Sequence, residues 1–148
     1  MSWTAAALLL VQSPVDQKAV DEAVGRGVQW LRRQIPEIQP LGEGQTYDPL
    51  ILWTFVHVGI PQSDPDFQLL LDRVLRANDE TTYCVALKAM ILEEVDRVKY
   101  QAHIARCAQF LADNQCENGQ WDYGTPSASA RTIPLPVATP SSGKDPVD

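Results

Sequence analysis

Apolar positions recur along this chain with helical period, and they define helices of two kinds. From about Asp16 to Gln34, Val20, Val24, Val28 and Leu31 fall on one face, so the spacing predicts an amphipathic helix that Pro36 and Pro40 end. Residues 49–59, "PLILWTFVHVG", are apolar all round except for Thr54 and His57, which predicts a buried central helix with Pro49 in its first turn and Gly59 at its stop. "SDPDFQLLLDRVLR" predicts a third helix, capped by Ser63 or Asp64 and carrying Pro65 near its start. A fourth covers about Thr82 to Asp96 and a fifth about Gln101 to Asn114. No segment alternates like a strand between hairpin signals, so the fold class is all-α.

The helices repeat. Trp30-Leu31, Leu70-Leu71 and Phe110-Leu111 are apolar pairs spaced by forty residues, each late in an amphipathic helix. Between them, "TYDPLILWTF" from Thr46 and "TYCVALKAMI" from Thr82 each place Thr-Tyr ahead of a more apolar helix, so the order is outer, inner, outer, inner, outer. The turns rhyme too: "GQTYD" from Gly44 follows the first outer helix and "GQWDYG" from Gly119 the third.

The stretch "CAQFLADNQCENGQW", Cys107 to Trp121, resembles the QW repeat of the terpene-cyclase and prenyltransferase alpha-alpha toroids, squalene-hopene cyclases included. An aromatic-Leu pair, Phe110-Leu111, precedes Gln115 and then Gly119-x-Trp121; Trp30, Leu31, Gln34 and Gly44 fit a degenerate copy that lacks the closing Trp. The resemblance spans about Ala19 to Gly124 and extends to bacterial multi-domain proteins that carry such repeats ahead of another domain. It implies a toroid-like array in which these motifs are structural ties. Gly119 allows a tight turn, the Gln115 amide is free to satisfy backbone groups at a helix end, and the Trp121 ring packs over it. A closed ring needs more than the roughly two and a half helix pairs supplied here, so the array is an incomplete toroid whose flanks need cover. Tetratricopeptide and HEAT solenoids are alternatives, but neither accounts for the Gly-x-Trp turn.

Composition narrows the partners. A formal net charge of −7 with no basic run argues against a nucleic-acid binder. Residues 1–15 form an apolar extension or the remnant of an export signal, too short to span a bilayer, which leaves the compartment open between cytoplasmic and exported. The repeat domain is 16–124. Residues 125–148, rich in Pro, Ser and Thr, read as a linker or tail. Cys84, Cys107 and Cys116 include no C-x-x-C pair, so reduced thiols are the simplest reading, with one disulfide left open.

Candidate chemistry is sparse. The acid motif Asp-x-Asp-Asp of class II terpene cyclases and the Asp-rich metal motif of class I are both missing; Asp64-Pro65-Asp66 reads as a helix cap, and Glu93-Glu94-Val95-Asp96 as a solvated face. The zinc of related prenyltransferases directs attention to His103 and Cys107, one helical turn apart, with Asp113 or Cys116 near in sequence, although Cys107 shares the apolar stripe of Ile104, Ala108 and Leu111. His57 reads as a core histidine. If the toroid resemblance holds, Trp53, Thr54 and His57 line its cavity. No catalytic residue, metal or cofactor is assigned. The expected function is a non-catalytic interaction or scaffold module, the N-terminal part of a longer protein, covered by a protein partner, by self-association or by further C-terminal repeats. The alternatives are a fragment of a terpene-cyclase-like enzyme whose acid motif lies elsewhere, and a module that binds an apolar small molecule.

Overall fold

Each helix starts where a side chain or a proline relieves its first unbonded amides. The computed structural model describes residues 15–37, 47–78 and 80–136. Asp16 opens α1 (Gln17–Gln34) by accepting from the backbone N–H groups of Lys18 and Ala19. Pro36 sits in a short 3-10 turn, Ile35–Glu37, that buries Ile35. Helix α2 (Asp48–Val58) has Pro49 in its first turn and ends at Gly59, whose φ of 78° lets its N–H reach back to the carbonyls of Phe55 and Val56. In α3 (Pro65–Arg76) the cap is Asp64, not Ser63: its carboxylate accepts from the N–H of Asp66 at 3.0 Å and of Phe67 at 3.2 Å. Helices α4 (Thr82–Asp96) and α5 (Gln101–Asp113) follow, then a short α6 (Ala128–Thr132). The described residues form no strand, and the fold is all-α and repeat-like.

Helix α2 packs against both α3 and α4, α4 against α5, and α1 against α2. Gln62, just past the end of α2, donates to the Val95 carbonyl near the end of α4 at 3.0 Å, so the two more apolar helices run side by side in one direction. Arg73 near the end of α3 meets Asp48 at the start of α2, so α3 returns antiparallel. Phe55, Phe67, Leu52, Leu70, Ile91 and Leu92 are fully buried. Each contributes about 1.5–3 kcal/mol relative to exposure. Arg32 of α1 ties this core to α3: its guanidinium grips Asp64 with two N–H···O bonds of 3.0 and 2.8 Å, reaches Asp66, and lies 5.1 Å from the centre of the Phe55 ring.

Three expectations need correction. Val20 and Val24 stand 39% and 41% exposed, because only the C-terminal half of α1 meets the core, through Val28 and Leu31. Helix α2 is not buried all round: Leu50, His57 and Val58 are exposed, and His57 is therefore not a core histidine. The segment after Thr125 is not all linker. Ser127 caps α6 by accepting from Ala130 N–H at 3.0 Å, and Ala130 is buried against Val85, Cys107 and Phe110. Residues 137–148, the apolar extension 1–14 and Gly44 lie outside the described residues.

Candidate functional site

The Gly-x-Trp turn is built as a clasp between α5 and α4. Gly119, at φ 82°, turns the chain so that its N–H bonds Cys116 O at 2.8 Å and Gln115 pairs with Trp121 across an isolated bridge. The Trp121 indole then donates to Leu111 O at 2.7 Å, satisfying one of the carbonyls left open at the end of α5. Gln115 does not reach a helix end; its amide donates to Gly119 O at 3.1 Å inside the turn. Phe110 is buried beneath the turn, whereas Trp121 is half exposed.

Beyond Trp121 the chain crosses to the start of α4. Thr82 N–H donates to Tyr123 O at 2.8 Å and its hydroxyl to Asp122 O at 2.6 Å, which replaces the side-chain cap that Thr81 does not supply. Gly124, at φ 95°, lies on the Phe110 ring and the Thr82 hydroxyl, so closely that a Cβ there would press on both. Thr82, Asp122, Tyr123 and Gly124 thus belong to the clasp; they lie in the repeated Thr-Tyr and Gly-Gln segments but outside the aromatic-Leu, Gln and Gly-x-Trp positions of the motif. In the degenerate copy Trp30 is exposed and Leu31 partly buried against the core. Neither Trp30 nor Gln34 makes a clasp of this kind among the described residues.

A second feature is the outer face of the α2–α4 pair. Leu50, Trp53, Thr54 and His57 share one side of α2, and Tyr83, Met90, Glu93 and Glu94 share one side of α4. Leu50 is 41%, Tyr83 61% and Met90 47% exposed. Trp53, Ala89, Met90 and Ile104 line a shallow depression of about 320 Å³ with Glu93 and Glu94 at its edge. Thr54 and His57 are outside its lining: Thr54 bonds back to Leu50 O, and His57 bonds Trp53 O and packs its ring 3.9 Å from the Trp53 ring.

A third feature is a cleft between α3, α4 and α5, covered by α6, with a volume of about 130 Å³. Lys88, 8% exposed, donates to Leu75 O at 3.3 Å and Ala77 O at 2.9 Å, so its ammonium closes the C-terminal end of α3 where the helix dipole favours a cation. His103 and Cys107 both line the cleft, and the His103 Nδ1 is buried without a hydrogen-bond partner. Burial holds the His103 pKa below the ordinary imidazole value, and the charges of Lys88 and Arg106 push it the same way. A lone Lys within the apolar run of α4 was the sequence signal for this cleft, legible only once the α3 terminus is seen beside it.

The remaining sequence candidates are spread apart. Cys116 is exposed, and Asp113 is occupied by the hydroxyls of Ser127 and Ser129 and by Gln109, which hold its carboxyl below the usual range. His103, Cys107, Asp113 and Cys116 therefore do not converge, and no group of three or more His, Cys, Asp or Glu suited to a metal occurs among the described residues. None of the three cysteines is in a disulfide. Asp96 caps the next turn through Val98 and Lys99, while Glu93 pairs with Arg97. No described helix is long and apolar enough to cross a membrane. Comparisons with protein-family models, with curated proteins and with solved structures find no match.

Proposed function

We propose that this chain is a helical-repeat interaction module, related to the QW-repeat toroids and non-catalytic, that holds a partner helix across α2 and α4. The observation that carries this reading is the set of large apolar side chains on two adjacent helices whose opposite sides form the core: Leu50, Tyr83 and Met90 are exposed, and Trp53, half-buried against the core, shares a depression with Met90. Contiguous apolar surface of this kind marks a docking site, and Glu93 and Glu94 at its edge favour a basic partner. The occupant is thus an amphipathic helix with Leu-type anchors and Lys or Arg on its flanks.

The test is isothermal titration of the full chain with an amphipathic Leu/Lys peptide of about 14 residues, roughly 21 Å long and so matched to α4. Saturable binding that Met90→Lys abolishes and that Glu93→Lys weakens supports the module. Binding unaffected by Met90→Lys, or no binding while light scattering shows a dimer that Met90→Lys dissociates, sinks the helix-partner reading in favour of none or of self-association. The depression beside Trp53 supports a second reading, an apolar small-molecule site, which thermal stabilisation by a fatty acid and its loss in Trp53→Ala would reveal.

A further inference from the structure

The cleft on the other side of α4 is distinct from the docking stripe. Lys88 and Met90, two residues apart on one helix, point about 160° away from each other. Four of the chain's twelve Lys and Arg residues line it: Arg76, Lys88, Arg106 and Arg131. Glu80 is the one acid among the described lining residues. In a chain of net charge −7 this is a local reversal of sign. Arg131 pairs with Glu80 and Arg76 with Asp72, which leaves Arg106 without an ion pair among the described residues. Beside these charges lie a cation more than nine-tenths buried, Lys88, and a buried ring nitrogen with no partner, His103 Nδ1.

We propose that this cleft is a binding site for a small oxyanion, a tetrahedral ion such as phosphate or sulfate or a compact carboxylate, with Arg106 and Lys88 supplying the positive charge. The volume suits an anion of a few heavy atoms and not a nucleotide. Arg106 meets the anion with its fork of N–H donors, and Lys88, fixed by the α3 carbonyls, adds a point charge that costs no reorganisation. His103 completes the site. The groups facing it are Lys88 from α4, Arg106 and Cys107 from α5, the edge of Tyr100, and Arg76, Glu80 and Arg131 at the cleft wall. Alone, the ring is held neutral by burial and by its cationic neighbours; a bound anion offsets those charges and raises its pKa. Linkage then fixes the sign: affinity is greatest below the pKa of the empty site and falls as pH rises through the pKa of the filled one.

The experiment is NMR of the full chain, following the imidazole signals of its two histidines, with His57 as an internal control on the α2 surface. Sodium sulfate, whose charge is fixed across the range, is titrated between about pH 5 and 8 against sodium chloride of equal ionic strength, and malonate forms a second arm. The expected result is a saturable shift of His103 alone with Kd on the order of 1 mM, a raised His103 pKa, and at least about tenfold weaker binding in Arg106→Gln. Arg131→Gln, at the cleft mouth, provides a second folded variant, with a smaller loss. Response to malonate but not sulfate assigns the site to carboxylates, and the reverse assigns it to tetrahedral anions. Equal shifts at both histidines, no saturation with either anion, or undiminished binding in both variants overturns the proposal.

Discussion

Gly119 and Gly124 lie five residues apart in one turn, share a left-handed backbone, and differ in one respect that makes them a controlled pair. A methyl group at Gly119 meets nothing within 4 Å, whereas at Gly124 it falls 3.0 Å from Phe110 Cζ and 3.2 Å from Thr82 Oγ1. Gly119→Ala therefore bears only the left-handed penalty, about 1 kcal/mol. Gly124→Ala bears the same penalty and an overpacking term of about 1–3 kcal/mol, because the Phe110 ring is buried and the Thr82 hydroxyl is pinned by Asp122 O. The expected totals are about 1 and about 2–4 kcal/mol, the second a large share of the roughly 5–15 kcal/mol available to a domain. Urea unfolding followed by circular dichroism reads both. With an m-value near 2 kcal/mol per molar, Gly124→Ala lowers the midpoint by about 1–2 M and Gly119→Ala by about 0.5 M. Equal midpoints for the two variants refute the close contact with Phe110, and with it the argument that the turn is seated on the α5 core.

Other consequences follow from the same contacts. Trp121→Phe keeps most of the ring and removes its donor, so it costs about 1 kcal/mol in thermal unfolding, and a cost near zero shows that water replaces the bond to Leu111 O. Lys88→Met leaves the carbonyls of Leu75 and Ala77 without their ammonium and destabilises by about 2–4 kcal/mol, whereas a neutral outcome in denaturant melts contradicts its role at the α3 terminus. Asp64 is held below the usual carboxylate range first by its bonds to Arg32 and then by the backbone amides of α3. Because the folded-state pKa is the lower one, this stabilisation is complete above about pH 4 and is lost as pH falls through the folded value. Asp64→Asn, which retains a capping oxygen, therefore flattens the acid limb of a stability profile; an unchanged limb assigns that limb to other carboxylates.

The helical layout was legible because its signals are local. Apolar spacing, Asp64-Pro65 and Val58-Gly59 placed the bounds of α3 and α2 within a residue, and α4 agrees at both ends. What composition concealed was which side of each helix finds a neighbour. A largely apolar run such as "LILWTFV" specifies burial only if enough helices surround it, and here α2 packs chiefly against α1, α3 and α4 while Leu50, His57 and Val58 stay exposed. The same reasoning accounts for Val20 and Val24, whose stripe is real but uncovered. Helix α6 was hidden by the prolines that flank it: beyond the local Ser127 cap, its stability comes from the two hydroxyl bonds to Asp113 and the burial of Ala130, contacts with residues distant in sequence. The basic cleft was invisible for a similar reason, since Arg76, Lys88, Arg106 and Arg131 come from four separate elements.

The clasp also has a kinetic meaning. The α4–α5 hairpin is joined at one end by the chain itself, through residues 97–100, and at the other by Thr82 bonding to Asp122 and Tyr123. A hairpin fastened at both ends cannot fray from its tips; its backbone amides exchange with solvent only when the whole unit opens. Helix α1, exposed along most of its length, is held only at its C-terminal end, through Val28, Leu31 and Arg32, and its N-terminal half has no such fastening. Hydrogen exchange should therefore divide the chain into a slow block from Thr82 to Gly124 and a fast N-terminal half of α1, so that the boundary of cooperativity follows the clasp and not the apparent repeat.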